Sequence, residues 1–146
     1  MRCRLVLVAA LSVSVLAGCG GDAKEEYCDA VKEHQVELSD LVSTGEPDAL
    51  ISGLDIFHDL QDKAPSDISD EWQQLVGRIE ALRDALDEAG VDPATYDRED
   101  PPPGLTAEDR AGIDAAAKEL GSGTTLRALQ DLDQQARDVC QAPLTL

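Results

Sequence analysis

Ile68, Trp72, Leu75, Ile79, Leu82, Leu86 and Ala89 recur in alternating steps of four and three, which is the spacing of one face of an α-helix. A helical stripe this long, with Gly90 placed just beyond it as a C-terminal cap, commits residues 68–89 to helix. It also commits the rest of the chain, because an apolar stripe of this length must be covered by other elements. Leu82, within the stripe, is where a charge without a partner is expected to unfold the domain.

What can cover it is limited by composition. Aromatic residues make up only 3% of the chain, as Tyr27, Phe57, Trp72 and Tyr96. Leu, Val, Ile and Ala must therefore fill the core, which favours close helix packing over a sheet sandwich. Asp22 with Glu25 three residues on fits a capping box, and Tyr27, Val31, His34, Leu38 and Leu41 follow at helical spacing, flanked by Cys28 and Val42. Ser43-Thr44-Gly45 ends this first helix. Pro47 suits the first turn of a second, whose inward positions are Leu50, Leu54, Phe57 and Leu60 before Ala64-Pro65 stops it.

After the stripe, residues 91–105 carry Asp92-Pro93 and Pro101-Pro102-Pro103-Gly104 and read as an extended linker. Thr106 then caps a fourth segment, with Asp109 at the third position and Ile113, Ala117 and Leu120 along its face. Gly121-Ser122-Gly123 breaks that face, and Leu126, Leu129, Leu132, Ala136 and Val139 resume it on a shifted phase. The expected fold is all-α: a four- to five-helix up-and-down bundle, residues 23–142 forming one domain, with a Pro-rich linker before the last helical segments.

The N-terminus is of another kind. Arg2 and Arg4 precede a short apolar run from Leu5 to Leu16, and Leu16-Ala17-Gly18-Cys19 follows at once. Spanning a bilayer takes roughly 20 apolar residues, so this run reads as an export signal that is removed. Leu16-Ala17-Gly18-Cys19 resembles the lipobox of bacterial lipoproteins. That resemblance covers only the first nineteen residues. It implies that residues 1–18 are cut away, that Cys19 is acylated, that residues 19–22 form a short tether, and that the domain sits on the outer face of the cell membrane. Two acyl chains give durable anchoring where one does not. Asn is absent and Lys is rarer than Arg, a bias of GC-rich genomes such as those of actinobacteria.

Loss of residues 1–18 removes Arg2 and Arg4 and leaves 10 basic against 30 acidic residues, a formal charge of −20. Such a surface repels nucleic acid and anionic lipid, and it suits a solvated helix face, a basic partner or the collection of cations. With Cys3 removed and Cys19 acylated, Cys28 and Cys140 are left in an oxidising compartment and are expected to pair. The alternative is two buried thiols. A bridge would bring Cys140 back to the end of the bundle where the first helix starts. Either the last two segments descend as one kinked element, or the linker crosses the bundle.

No catalytic motif is present. Gly121-Ser122-Gly123 lacks the Gly-x-Ser-x-Gly frame of a nucleophile elbow, and Asp92, Asp97 and Asp100 lack the spacing of a calcium loop. The sharpest candidate is a histidine pair. In a hairpin turning near Gly45 and Glu46, His34 and His58 lie level across two helices, and Glu37 and Asp55 stand one turn away from them. Together the four could hold a divalent metal such as zinc or copper, the one cofactor the chain suggests. The functional expectation is a non-enzymatic, lipid-anchored binding or accessory module with an envelope protein as partner. The alternative is an extracytoplasmic binder of divalent metal or other cations.

Overall fold

Six α-helices and a π-helical turn organise this computed structural model, which describes residues 20–46 and 48–146: α1 (Gly20–Thr44), α2 (Ala49–Ser52), α3 (Leu54–Lys63), α4 (Ser69–Glu88), α5 (Ala107–Leu120), α6 (Gly123–Gln135) and the π-turn (Ala136–Cys140). The described residues contain no strand, and the fold is all-α. Residues 1–18, read as an export signal, together with Cys19 and Pro47, lie outside the described residues. Gly20, Gly21 and Asp22 are already helical, so α1 takes in the stretch read as a tether and as a cap.

α4 is the central helix, in contact with α2, α3, α5 and α6. Ile68, Trp72, Leu75, Ile79 and Leu86 of its stripe are buried, and Val76 joins them. Leu82 is only partly buried, in a second small core with Leu86, Val91 and Ile113. The centre of the stripe is therefore Ile79, which is fully enclosed. α4 ends as its glycine implied: Gly90 takes a left-handed φ of +66° and the Val91 amide donates back to the Leu86 carbonyl at 2.9 Å, closing a Schellman turn.

α1 and α3 pack as a hairpin. The second helix of the sequence reading is two pieces, because the chain turns at Gly53. An added Cβ there would lie 3.1 Å from Leu41 Cδ1 and 3.1 Å from Phe57 Cε2, so glycine allows α1 and α3 to approach. Leu54, Phe57 and Leu60 are buried as expected, but Leu50 is exposed. α5 opens with the expected capping box, the Asp109 amide donating to Thr106 Oγ1 and the Thr106 amide to Asp109 Oδ2. Its Ile113 packs beside Leu86, at the far end of α4, and the 91–105 linker contributes Val91, Tyr96 and Leu105 to the same cluster.

α5 and α6 then descend along α4 as two helices separated at Gly121-Ser122, with Ser122 capping α6 through the Thr125 amide. The descending alternative holds, and the linker does not cross the bundle. On α6 the inward face is Thr125, Ala128 and Leu132, continued by Ala136, while Leu126 and Leu129 are exposed.

The descent ends at a disulfide. Cys28 and Cys140 are bonded with their Cα atoms 5.0 Å apart, within the range such bridges require. Next to Cys28 on α1, Tyr27 meets Trp72 of α4 inside the core. Both are buried, their rings meet edge to face with centroids 6.5 Å apart, and the Trp72 indole N–H donates to the Tyr27 hydroxyl at 3.2 Å.

Ile79→Asp is expected to unfold the domain, since burying an unpaired carboxylate costs several kcal/mol against a total stability of about 5–15 kcal/mol. Leu82→Asp should cost about 1–3 kcal/mol and leave a cooperative melt. Thermal circular dichroism on both variants checks the ranking, and equal losses would contradict it. Burial pushes the Tyr27 phenol up to about 12, so it stays neutral in the folded chain after the unfolded one has ionised. Its contribution is complete below pH 10 and is lost as pH rises toward 12, by roughly 2–3 kcal/mol. Urea melts across that window should show a steep fall that Tyr27→Phe flattens.

Candidate functional site

The four residues proposed as metal ligands are not brought together. His34 Nε2 lies 2.9 Å from Asp59 Oδ2, and Asp59 also accepts from Lys63 one turn along α3. His58 Nε2 lies 3.0 Å from Glu80 Oε1 on α4. The level pairing of the hairpin is right in register and wrong in direction. Consecutive helical residues point about 100° apart, so when Asp59 faces α1, its neighbour His58 faces α4. Glu37 and Asp55 are exposed and stand away from both contacts. No group of three or more His, Cys, Asp or Glu among the described residues could hold a metal ion.

What the His34–Asp59–Lys63 cluster does is electrostatic. The Lys63 ammonium and the His34 imidazole beside it hold the Asp59 carboxyl below the usual carboxylate range. Its contribution is present above the ordinary aspartate value and lost as pH falls through the lowered one. With these side chains 20–37% exposed, the cluster is worth no more than about 1 kcal/mol.

The distinctive feature of the molecule is elsewhere. The backbones of α1 and α6 do not approach closely. Both helices contribute to the main core, through Tyr27, Val31 and Leu132, and the disulfide and the tail that follows it tie them at one end. Gln141 adopts a left-handed φ of +56° and turns residues 142–146 across the gap. There the Gln35 amide side chain donates to the Pro143 carbonyl at 2.7 Å, and the Leu146 amide to Ser39 Oγ at 2.7 Å. On the other side the Leu144 amide donates to Asp133 Oδ1 of α6 at 3.1 Å.

Beyond this strap the two helices leave a cleft of about 620 Å³. Leu38 and Val42 of α1, with Leu50 of α2, form one wall. Phe57, Trp72 and Leu75 make the floor. The opposite wall is Ala117 and Leu120 of α5, Gly121 after it, and Thr125, Leu126 and Leu129 of α6. A side lobe of about 240 Å³ continues under the α1–α2 turn, walled by Leu41, Gly45 and Ala49. The volume is that of a site for a small organic molecule.

Four of the six large apolar side chains exposed among the described residues line this cleft: Val42, Leu50, Leu126 and Leu129, at 40–61% accessibility. Its polar residues are few: Gln130 is exposed and Thr145 of the tail half-buried, while Thr125 and Asp133 are engaged with the protein. Thr125 Oγ1 donates to the Glu119 carbonyl at 2.9 Å, and Asp133 accepts from the Leu144 amide and from Arg137. Tyr27, Asp59, Arg83 and Asp109, the groups whose proton affinity is displaced, lie outside it. A second hollow of about 390 Å³ lies against the exposed Arg98–Asp114 ion pair and is an open surface. Sequence periodicity identified Leu50, Leu126 and Leu129 as apolar helix positions and assigned them to the core; their clustering around a void was not readable from it.

Comparison with protein families, with curated proteins and with solved structures found no match to this chain. No described helix is long and apolar enough to cross a membrane.

Because the two imidazoles face different carboxylates, calorimetry with zinc should give weak, salt-sensitive heats that are equal for the wild type, His34→Ala and His58→Ala. A saturable site abolished by either substitution would restore the metal reading.

Proposed function

We propose that the protein is a lipid-anchored, extracytoplasmic helical module that binds an envelope component without transforming it, and that the cleft between α1 and α6 is its binding site. The cleft carries the binding part of this reading. It gathers exposed Val42, Leu50, Leu126 and Leu129 on a chain whose remaining surface is dominated by acidic groups. Soluble proteins rarely leave such a patch open unless something occupies it. The engaged state of Thr125 and Asp133 supports binding over chemistry, since neither is left poised to take a proton or attack a carbonyl.

The address rests on Leu16-Ala17-Gly18-Cys19 and is supported by the bond between Cys28 and Cys140, which suits an oxidising compartment outside the cytoplasm. A helix already formed at Gly20 leaves little slack between the acylated residue and the body. The anchored domain is thereby held at the membrane in a defined orientation.

Cells grown with a radioactive fatty acid should label the wild-type chain in the membrane fraction, and Cys19→Ala should abolish the label. Undiminished labelling of that variant would remove the lipoprotein assignment. Protease added to intact spheroplasts should digest the wild-type domain, whereas full protection would place it on the wrong side.

A further inference from the structure

We infer that the occupant of the α1–α6 cleft is the acyl chain of an uncharged lipid, an inference that rests on the reading of this cleft as the binding site. Three features of the cleft select that chemistry.

The first is the scarcity of directional groups deep in the site, Gln130 being exposed and Thr145 only half-buried among the described lining. A ligand recognised by its own hydroxyls, amides or charges needs partners set inside the pocket. Here Thr125 is tied to Glu119 and Asp133 to Leu144 and Arg137, while the floor is Phe57, Trp72 and Leu75. Recognition by burial alone, at about 0.8 kcal/mol for each methylene removed from water, is what such a lining provides. An unbranched hydrocarbon chain matches it.

The second is shape. The tail straps α1 to α6 at the disulfide end, through Gln35, Ser39 and Asp133, so the cleft is bridged there and does not run through as an open trough. A partner helix is about 10–12 Å across with its side chains and lies along a groove open at both ends. A single chain enters a dead-end cleft by its tip. The 620 Å³ volume suits one such chain and leaves the lobe under the α1–α2 turn for its end.

The third is charge. Without residues 1–18 the chain carries −20, and it repels a second copy of itself and any anionic headgroup, both of which would otherwise suit an apolar patch. An uncharged headgroup incurs no such penalty at the rim.

Trp72, the only tryptophan, lines the cleft and makes occupancy directly readable. Residues 20–146 contain both cores and the disulfide, so the chain starting at Gly20 is the sample, with a cooperative thermal melt as its folding control. It is titrated with a monoacylglycerol brominated at mid-chain, because bromine quenches indole emission only on contact. Saturable quenching is expected. Leu126→Gln with Leu129→Gln, both on the exposed rim and so compatible with folding, should weaken it at least tenfold. Ala117→Phe should weaken it by filling the cleft. The brominated fatty acid anion of equal length should bind about tenfold more weakly at low salt and approach the glyceride as salt screens the charge.

Equal affinity of the anion at low salt would overturn the selection for an uncharged lipid. Absence of quenching by any chain, with a saturable Trp72 response to a cationic Leu/Lys amphipathic peptide, would overturn the acyl-chain inference while leaving the cleft as a binding site. A dimer by sedimentation that the two Gln substitutions dissociate would replace the lipid with a second copy. Silence of every probe in a folded sample would remove both the inference and the site.

Discussion

The bond between Cys28 and Cys140 is what decides the shape of this molecule. Its partners are 112 residues apart, near the two ends of the described chain, and between them the backbones of α1 and α6 do not approach closely. Closing a loop of that length takes away much of the freedom of the unfolded chain, an effect of about 4–5 kcal/mol in the chain-entropy account. For a domain of modest core this is a large share of the total. It also means that the π-turn after α6 is held to α1 covalently as well as through the shared core, so the gap farther along the two helices need not be filled.

An unfilled interface is how an apolar cleft survives in a stable fold. α4 supplies the continuity: it takes α3 on one side and α5 and α6 on the other, and Tyr27 reaches it from α1 through Trp72. With the bundle secured around α4 and pinned by the disulfide, the side chains facing the gap are released from core duty. Val42, Leu126 and Leu129 are then free to remain apolar and exposed without the structure depending on their burial.

The sequence was legible where a residue's own chemistry fixes its local conformation. The α4 stripe, the Thr106–Asp109 capping box, the Gly90 turn and the cysteine pair are all of this kind. It was illegible where the outcome depends on what stands opposite. Leu126, Leu129 and Leu132 read as one stripe, yet at about 100° per residue Leu126 and Leu132 stand about 120° apart, and Leu132 is enclosed while Leu126 lines the cleft. Periodicity reports a face and says nothing of its neighbour. Gly53 illustrates a related limit: it falls inside the span read as one helix, and the closeness of Leu41 and Phe57 to it depends on the fold. For the histidines the register arithmetic was sound, but the separation of adjacent side chains around the α3 axis sent His34 and His58 to different carboxylates.

Placement of the cleft along α1 bears on what an anchored domain could do with a ligand. At 1.5 Å per residue, Leu38 and Val42 lie roughly 27–33 Å beyond Gly20, comparable to the thickness of the hydrocarbon core itself. The strapped end of the cleft faces the disulfide, and the disulfide lies toward the start of α1. On the proposed anchor at Cys19, a body of charge −20 is pushed away from anionic headgroups, which favours α1 standing up from the membrane over lying along it. The cleft is then outside the bilayer, out of reach of the anchor's own acyl chains. A lipid chain held there has been withdrawn from the membrane, so the site would serve sequestration or transfer rather than added anchoring.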